Sequence, residues 1–362
     1  MQRTDSSAGA KPQIGAITPS VNLTRSPRQK AATGSSSEDP RAGQDSPATG
    51  WALGAITYLL WAVFPLYFVW LEPAGSLEVI VHRCVWGLVI CALILTARRE
   101  IGELRALWRN RRAMWRLMLA GVLIIVNWTT YVYAVMNGHV VDAALGYFTN
   151  PLLTVALGVV FLRERLSALQ VVAVTLGAVA VLYMMFTLGY VPWISLALAF
   201  SFGLYSLVKK SVASQVKPLA GMVVETATTA PFLLAYYIYL VATGATSFQK
   251  LAADPAAGTG FPWWGHLALL IGAGAITVVP LLLFARAARS LPLYALGLLQ
   301  YISPVGQFAI GVWVFHEAMA PERWITTGII VLALVVLSVD TLLTLHRPPR
   351  RDEPETATAD SA

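Results

Sequence analysis

Glu78, His82 and Arg83 open a stretch that is otherwise apolar through Leu95. Glu78 and His82, four residues apart, share a helix face, and Arg83 lies one residue further round. Arg83 is about seven residues into its helix, roughly 10 Å below the membrane surface at about 1.5 Å per residue. Ionisable groups in hydrocarbon are expensive and ask for a reason. Two are open. The long side chains snorkel to the interface and anchor the helix, or they line an outward-facing vestibule. Glu225 stands at a comparable depth from the other end of a later apolar stretch, seven residues after Pro218. Desolvation penalises a carboxylate's charge, so a Glu225 without a partner is a candidate for proton coupling. A Glu225 bonded to a neighbouring helix is the structural alternative.

Uncharged polar side chains also recur inside apolar runs. Asn127, Trp128 and Tyr131 share one run, with Asn127 and Tyr131 on one face; Tyr147 and Asn150 lie in the next, and Gln300, Tyr301 and Gln307 in a later one. Such groups either bond neighbouring helices, at about 0.6–2 kcal/mol each, or orient a solute in a cavity with aromatic walls. Trp61, Trp86 and Trp128 are candidate walls. The candidate solute-binding set is therefore Glu78, His82, Arg83, Asn127, Trp128, Tyr131, Tyr147, Asn150, Gln300 and Gln307, with Glu225 as the proton-coupling candidate.

These groups must be positioned by membrane helices. Charged residues make up 12% of the 362 residues and hydrophobic ones 57%, against the roughly 25% charged residues of a soluble globular chain. A soluble fold would expose large apolar patches with this composition. Ten apolar runs approach the roughly 20 residues a helix needs to cross hydrocarbon. They fall near 51–71, 76–97, 114–136, 140–162, 168–187, 190–208, 219–242, 264–286, 291–315 and 324–345. The runs are continuous, not alternating, which argues against strands. Residues 1–50 and 346–362 read as disordered tails, without a cleavable signal peptide. Pro65, Pro151, Pro231, Pro280 and Pro304 interrupt spans and permit bends.

The net charge of +7 is spread in short clusters between apolar runs, which is membrane topology and not a nucleic-acid surface. With the N-terminus inside, all but three of the 26 Lys and Arg face the cytoplasm, the exceptions being Arg83, Lys250 and Arg323. A multi-pass protein of the cell inner membrane with both termini cytoplasmic is expected.

The chain also repeats itself. Gly146-Tyr-Phe-Thr-Asn-Pro151 is followed by Gly158 and Glu164, and Gln300-Tyr-Ile-Ser-Pro304 by Gly311 and Glu317, with Gly seven and Glu thirteen residues after Pro in both. The copies are five helices apart, so the second enters the membrane inverted, as in secondary transporters with a site between the halves. The expected class is an all-α membrane protein of ten transmembrane helices in two inverted five-helix repeats, 51–187 and 188–345.

The chain resembles the RarD subgroup of the EamA-type transporters, within the drug/metabolite transporter superfamily. The resemblance rests on Trp61-Ala-Val-Phe-Pro-Leu-Tyr-Phe68, Glu78-Val-Ile-Val-His-Arg83, Val126-Asn-Trp128, Asn137-Gly-His139, Leu145-Gly-Tyr-Phe-Thr-Asn-Pro151, Ser201-Phe-Gly-Leu-Tyr205 and Gly297-Leu-Leu-Gln-Tyr-Ile-Ser-Pro304. It runs in order over roughly residues 51–345 and omits both tails. It implies ten helices, two five-helix units and permease activity, without specifying the solute.

Other classes fit less well. His139-Val-Val-Asp142 brings a His near an Asp, yet no nucleophile-elbow or zinc motif is present, and Asp142 reads as a helix cap. A scaffold or receptor would need a sizeable soluble domain, and the longest internal connection is 243–262. Glu164 and Glu317 read as cap or rim charges. Cys84 and Cys91, seven residues apart on one helix, are about 10 Å from each other, too far for a disulfide. No cofactor or metal is called for. The expected partners are a small organic solute and the lipid bilayer, with no nucleic acid; a homodimer is left open.

Overall fold

A computed structural model describes residues 47–162, 166–212 and 215–345. Glu164 and both expected tails lie outside the described residues, except that residues 47–50 already belong to the first helix. The first half contains α1 (Pro47–Ala62), α2 (Phe64–Val69), α3 (Ser76–Ala97), α4 (Ile101–Arg109), α5 (Arg111–Met136), α6 (Val140–Leu162) and α7 (Ala168–Leu188). The second contains α8 (Trp193–Lys210), α9 (Pro218–Ala242), α10 (Ser247–Ala253), α11 (Trp263–Ser290), α12 (Leu293–Leu299), α13 (Ile302–Ala309) and α14 (Pro321–Leu345). No strand occurs among the described residues.

Local chemistry sets the helix ends. Ser167 accepts from the Gln170 N–H while the Gln170 side chain returns to the Ser167 N–H, and Thr246 and Gln249 do the same before α10; these reciprocal caps satisfy amides that a helix start leaves open. Asn110 caps α5 through Ala113. Gly189 ends α7 with φ +70°, a conformation glycine adopts without strain.

Among the described residues eight segments are long and apolar enough to cross a membrane: α3, α5, α6, α7, the run Pro218–Ala253 that contains α9, α11, the run Ala295–Val314 and α14. The other two expected spans differ from the simple picture. The first is broken at Val63 into α1 and α2, so that Pro65 falls in the first turn of α2, where its missing N–H costs no helix bond. The sixth is α8, 18 residues ending in Lys209 and Lys210. The ninth is also broken, between α12 and α13 at Gln300–Tyr301, and finishes in a wide π turn at Ile310–Val314.

Between the halves, α1 packs on α11 and α13 while α8 packs on α5 and α6. α3 meets α11 and α9; α9 meets α3 and α5; α6 meets α13, and α7 meets α14. Exchanging the segments of one half for those of the other, in order, maps these pairings onto themselves. Extra contacts of α14 with α6 and of α4 with α9 are the exceptions. Lipid tails are as apolar as leucine, so the driving force is close packing, not exclusion from water. Glycines permit it. A Cβ on Gly121 would lie 2.5 Å from the Glu225 carbonyl oxygen, and one on Gly274 would lie 2.6 Å from the Gly87 nitrogen.

Gly121→Ala is therefore expected to lower the detergent-solubilised melting temperature, at a cost of about 1–3 kcal/mol. Gly102→Ala, which meets nothing within 4 Å, is expected to leave it unchanged or raise it. Equal melting temperatures for the two variants would contradict the close approach of α5 and α9.

Candidate functional site

The site is built around Arg83 on α3, which is 5% exposed. Its Nε donates to Thr277 Oγ1 on α11 at 2.7 Å. Its guanidinium carbon lies 4.2 Å from the Trp128 ring centroid on α5, and 5.7 and 5.8 Å from those of Phe68 and Phe64 on α2. Phe64 and Phe68 stand one helical turn apart because the break at Val63 starts α2 where both face inward. A desolvated cation over an aromatic face gains about 2 kcal/mol. No carboxylate pairs with Arg83 among the described residues. Its Nη1 is buried without a hydrogen-bond partner.

Asn127, one residue before Trp128, faces another way. Its Nδ2 donates to the Leu198 carbonyl and to Ser201 Oγ, both at 3.0 Å, and its Oδ1 accepts from the Tyr147 hydroxyl at 3.1 Å. Asn127 thus ties α5 to α6 and α8. Tyr131, on the same face, is 3% exposed, and its hydroxyl has no partner. Rings run on from the Arg83 cage: Phe68 to Tyr131 (centroids 6.1 Å), Tyr131 to Tyr147 (5.5 Å), Tyr147 to Phe202 (6.4 Å) and Phe202 to Tyr205 (6.0 Å).

At the far end of that ladder stands Glu225 on α9. Of the two alternatives open for Glu225, the carboxylate bonded to a neighbouring helix is the one found. Lys209 of α8 forms a salt bridge with Glu225, and the Tyr205 hydroxyl donates to its other oxygen at 3.3 Å. Lys209 closes the last turn of α8, within reach of a side chain about two turns into α9.

Glu78 and His82 are not gathered at the Arg83 cage. Both carboxylate oxygens of Glu78 accept from the Ser247 N–H at 3.0 Å, and Oε1 also accepts from the Ser247 hydroxyl at 2.9 Å. His266 Nε2 is 2.9 Å from that hydroxyl. Glu78 therefore fastens α10 over the end of α3. His82 Nδ1 accepts from Trp86 Nε1 at 3.3 Å, and its ring stands edge-on to Tyr237. The shared face inferred for Glu78 and His82 holds, and Arg83, about 100° round, looks at different helices.

Gln307 and Asn150 lie on α13 and α6. Gln307 Nε2 donates to the Trp61 carbonyl and to Ser303 Oγ, both at 3.0 Å, while Gln307 Oε1 and Asn150 Oδ1 are buried without partners. Gln300 is half-buried at the α12–α13 break. Trp61 packs on Tyr58 and Phe284, so neither Trp61 nor Trp86 walls the Arg83 cage.

Asp142 does not cap α6. Both Glu317 oxygens do so from α13's far side, accepting from the N–H groups of Val140 and, at 2.8 Å, Val141. Asp142 instead lies 3.3 Å from His139 Nδ1 and 3.5 Å from Arg323 Nη2, which donates to the Tyr190 hydroxyl at 2.9 Å. Phe64, Phe68, Thr277, Lys209 and Tyr205 were missed. The turn-apart spacing of Phe64 and Phe68 beside Pro65 was a usable signal; Thr277 carried none.

The model of the EamA-like transporter family matches residues 48–186. Protein RarD of Streptomyces exfoliatus is 42% identical, over 86% of this chain and 94% of its own length. The chain belongs to this family, with the RarD-type members. Among other EamA relatives, the protein described as uncharacterized transporter YojE of Bacillus subtilis is 38% identical, over 78% of this chain and 91% of its own. A solved crystal structure aligns with 80% of this chain and 97% of its own at a TM-score of 0.51 and 17% identity, a likeness of fold. As an EamA-type protein the chain is a multi-pass membrane protein of the transporter class.

Within this RarD-type fold, Asn127→Leu is expected to destabilise by about 1–3 kcal/mol, because it leaves the Tyr147 hydroxyl without its buried acceptor. Thermal unfolding in detergent measures this. An unchanged melting temperature would mean that the Asn127 bonds do not hold α5 to α6 and α8.

Proposed function

We propose that the protein is a secondary permease that moves a small organic solute across the cytoplasmic membrane by alternating access. The observation that carries the reading is Arg83: a buried guanidinium with an open N–H, caged by aromatic rings from α2 and α5. A purely structural arginine in lipid would be expected to have every donor engaged. In this reading ten spans, with α1–α2 first and α8 sixth, form two inverted units of five. The pairings of α1, α3 and α13 with α11, α9 and α6 support it, since they interchange with those of the other half. Both termini face the cytoplasm, and substrate contacts come from Arg83, Trp128, Tyr131 and Tyr147.

Glu225 is the coupling residue in this proposal. Its charge is held by Lys209 and Tyr205, two side chains of α8. When α8 and α9 separate on opening to the cytoplasm, Glu225 exchanges Lys209 for a proton. A carboxylate and an ammonium that part inside a low-dielectric site cannot both stay charged cheaply. The pair thus closes one face when intact.

Two measurements test these statements. Reporter fusions after Gly189 are expected to read outside and fusions after Gly102 inside; the same face for both would refute the inverted topology. In proteoliposomes, solute flux is expected to respond to an imposed pH gradient in the native chain. Glu225→Gln is expected to abolish that response while leaving exchange of solute against solute. A pH response that survives the substitution removes Glu225 from coupling.

A further inference from the structure

The cage around Arg83 also restricts what the solute is, given the permease reading above. The buried acids Glu78, Glu225, Asp142 and Asp340 each have partners of their own, Asp340 through Ser167 and Gln170. Glu78 is taken by Ser247, Glu225 by Lys209 and Tyr205, and Asp142 by His139 and Arg323. The positive charge of Arg83 therefore has no counter-charge within the cage. Burying an ion without its opposite is strongly unfavourable.

Geometry defines the open position. Thr277 fixes the Nε corner, and the Trp128 ring centroid lies 4.2 Å from the guanidinium carbon. Nη1 is buried without a hydrogen-bond partner. The Tyr131 hydroxyl is a second buried group without a partner. Both belong to one cluster, because the Phe68 ring is 5.7 Å from the Arg83 guanidinium carbon and 6.1 Å from the Tyr131 ring. Asn127, the nearest amide in sequence, has its oxygen and nitrogen engaged. The cage thus offers one positive charge and two free hydroxyl or N–H donors, between aromatic faces.

We propose that the transported solute is an organic monocarboxylate with a flat apolar body. Its carboxylate accepts from Arg83 Nη1 and the Tyr131 hydroxyl, and its body lies against Phe64, Phe68 and Trp128. A guanidinium edge matches a carboxylate in plane and charge. A solute cation would meet the uncompensated charge of Arg83. A phosphate dianion would bring two negative charges to one positive one and three acceptor oxygens to two donors. With a monocarboxylate bound, the cage is neutral.

The test uses the purified full chain in lipid nanodiscs, with binding followed by calorimetry and thermal shift. The probes are phenylacetate and 2-naphthoate, their neutral amides, 2-phenylethylamine and inorganic phosphate. The acids are expected to bind at least tenfold more tightly than the amides, with naphthoate ahead of phenylacetate and no binding of amine or phosphate. Arg83→Met removes the charge at similar volume, a change that buried sites often tolerate, and is expected to abolish the preference of acid over amide. Arg83→Lys keeps the charge without the planar edge and is expected to weaken the acids at least fivefold; it serves if the methionine variant does not fold. Equal affinity of acid and amide, absence of acid binding, phosphate preferred, or an acid preference that persists in both variants overturns the proposal. Flux in proteoliposomes separates it from the permease reading. Acid binding that depends on Arg83 without any flux upholds the anion site and removes transport. Flux of the amides, indifferent to Arg83, upholds transport and removes the anion site.

Discussion

A guanidinium surrounded by aromatic faces and given no carboxylate is the constraint around which the rest of the molecule is arranged. In lipid such a charge needs surrounding helices to bring polarisable rings and acceptors to it. Three separate helical segments do so. α2 brings Phe64 and Phe68, α5 brings Trp128, and α11 brings Thr277, while α3 carries Arg83 itself. Each depends on the others' spacing. α3 and α11 approach closely where Gly274 leaves room for the backbone of Gly87, and that approach brings Thr277 within hydrogen-bond reach of Arg83.

The second charged centre solves the same electrostatic problem in another way. Glu225 stands seven residues into α9, as Arg83 stands seven residues into α3. Each is met by two side chains one turn apart on the preceding span: Phe64 and Phe68 for Arg83, Tyr205 and Lys209 for Glu225. Where one half supplies rings, the other supplies a hydroxyl and an ammonium. Opposite charges at matching places are therefore treated unequally: one is neutralised within the protein and one is left for something else to neutralise. The aromatic ladder from Phe68 to Tyr205, of tilted and edge-on rings, joins them.

Composition and run length made the membrane helices legible, because hydrocarbon imposes a length that nothing else in a sequence imitates. The polar positions worth attention were legible too, since few ionisable side chains lie inside spans. Their partners were not. Glu78 and Arg83 are five residues apart, yet one fastens α10 and the other enters the aromatic cage. A helix face can be read from spacing, whereas which neighbour covers that face is set by packing many residues away. Lys209 stands at a span end, where basic residues mark orientation, yet its long side chain reaches Glu225, so a marker of orientation also works inside the protein. Asp142 was read as a cap because its position in the first turn allows it, and Glu317, remote in sequence, reached the same amides first.

The two broken spans show how the backbone makes such a site available. A continuous helix over residues 47–69 would carry Phe64 and Phe68 round the axis at a fixed 100° per residue from Tyr58 and Trp61, which pack instead on Phe284. The break at Val63 releases that phase, so α1 can pack on α11 while α2 turns its rings toward Arg83. The α12–α13 break does the corresponding work in the other half, letting Leu299 pack near Leu291 and Leu296 while Gln307 reaches the Trp61 carbonyl. Gln307 thereby holds α13 against the last turn of α1, beside the break that orients α2. The two interruptions are linked through one hydrogen bond, and a change of angle at either is felt at the rings that enclose Arg83.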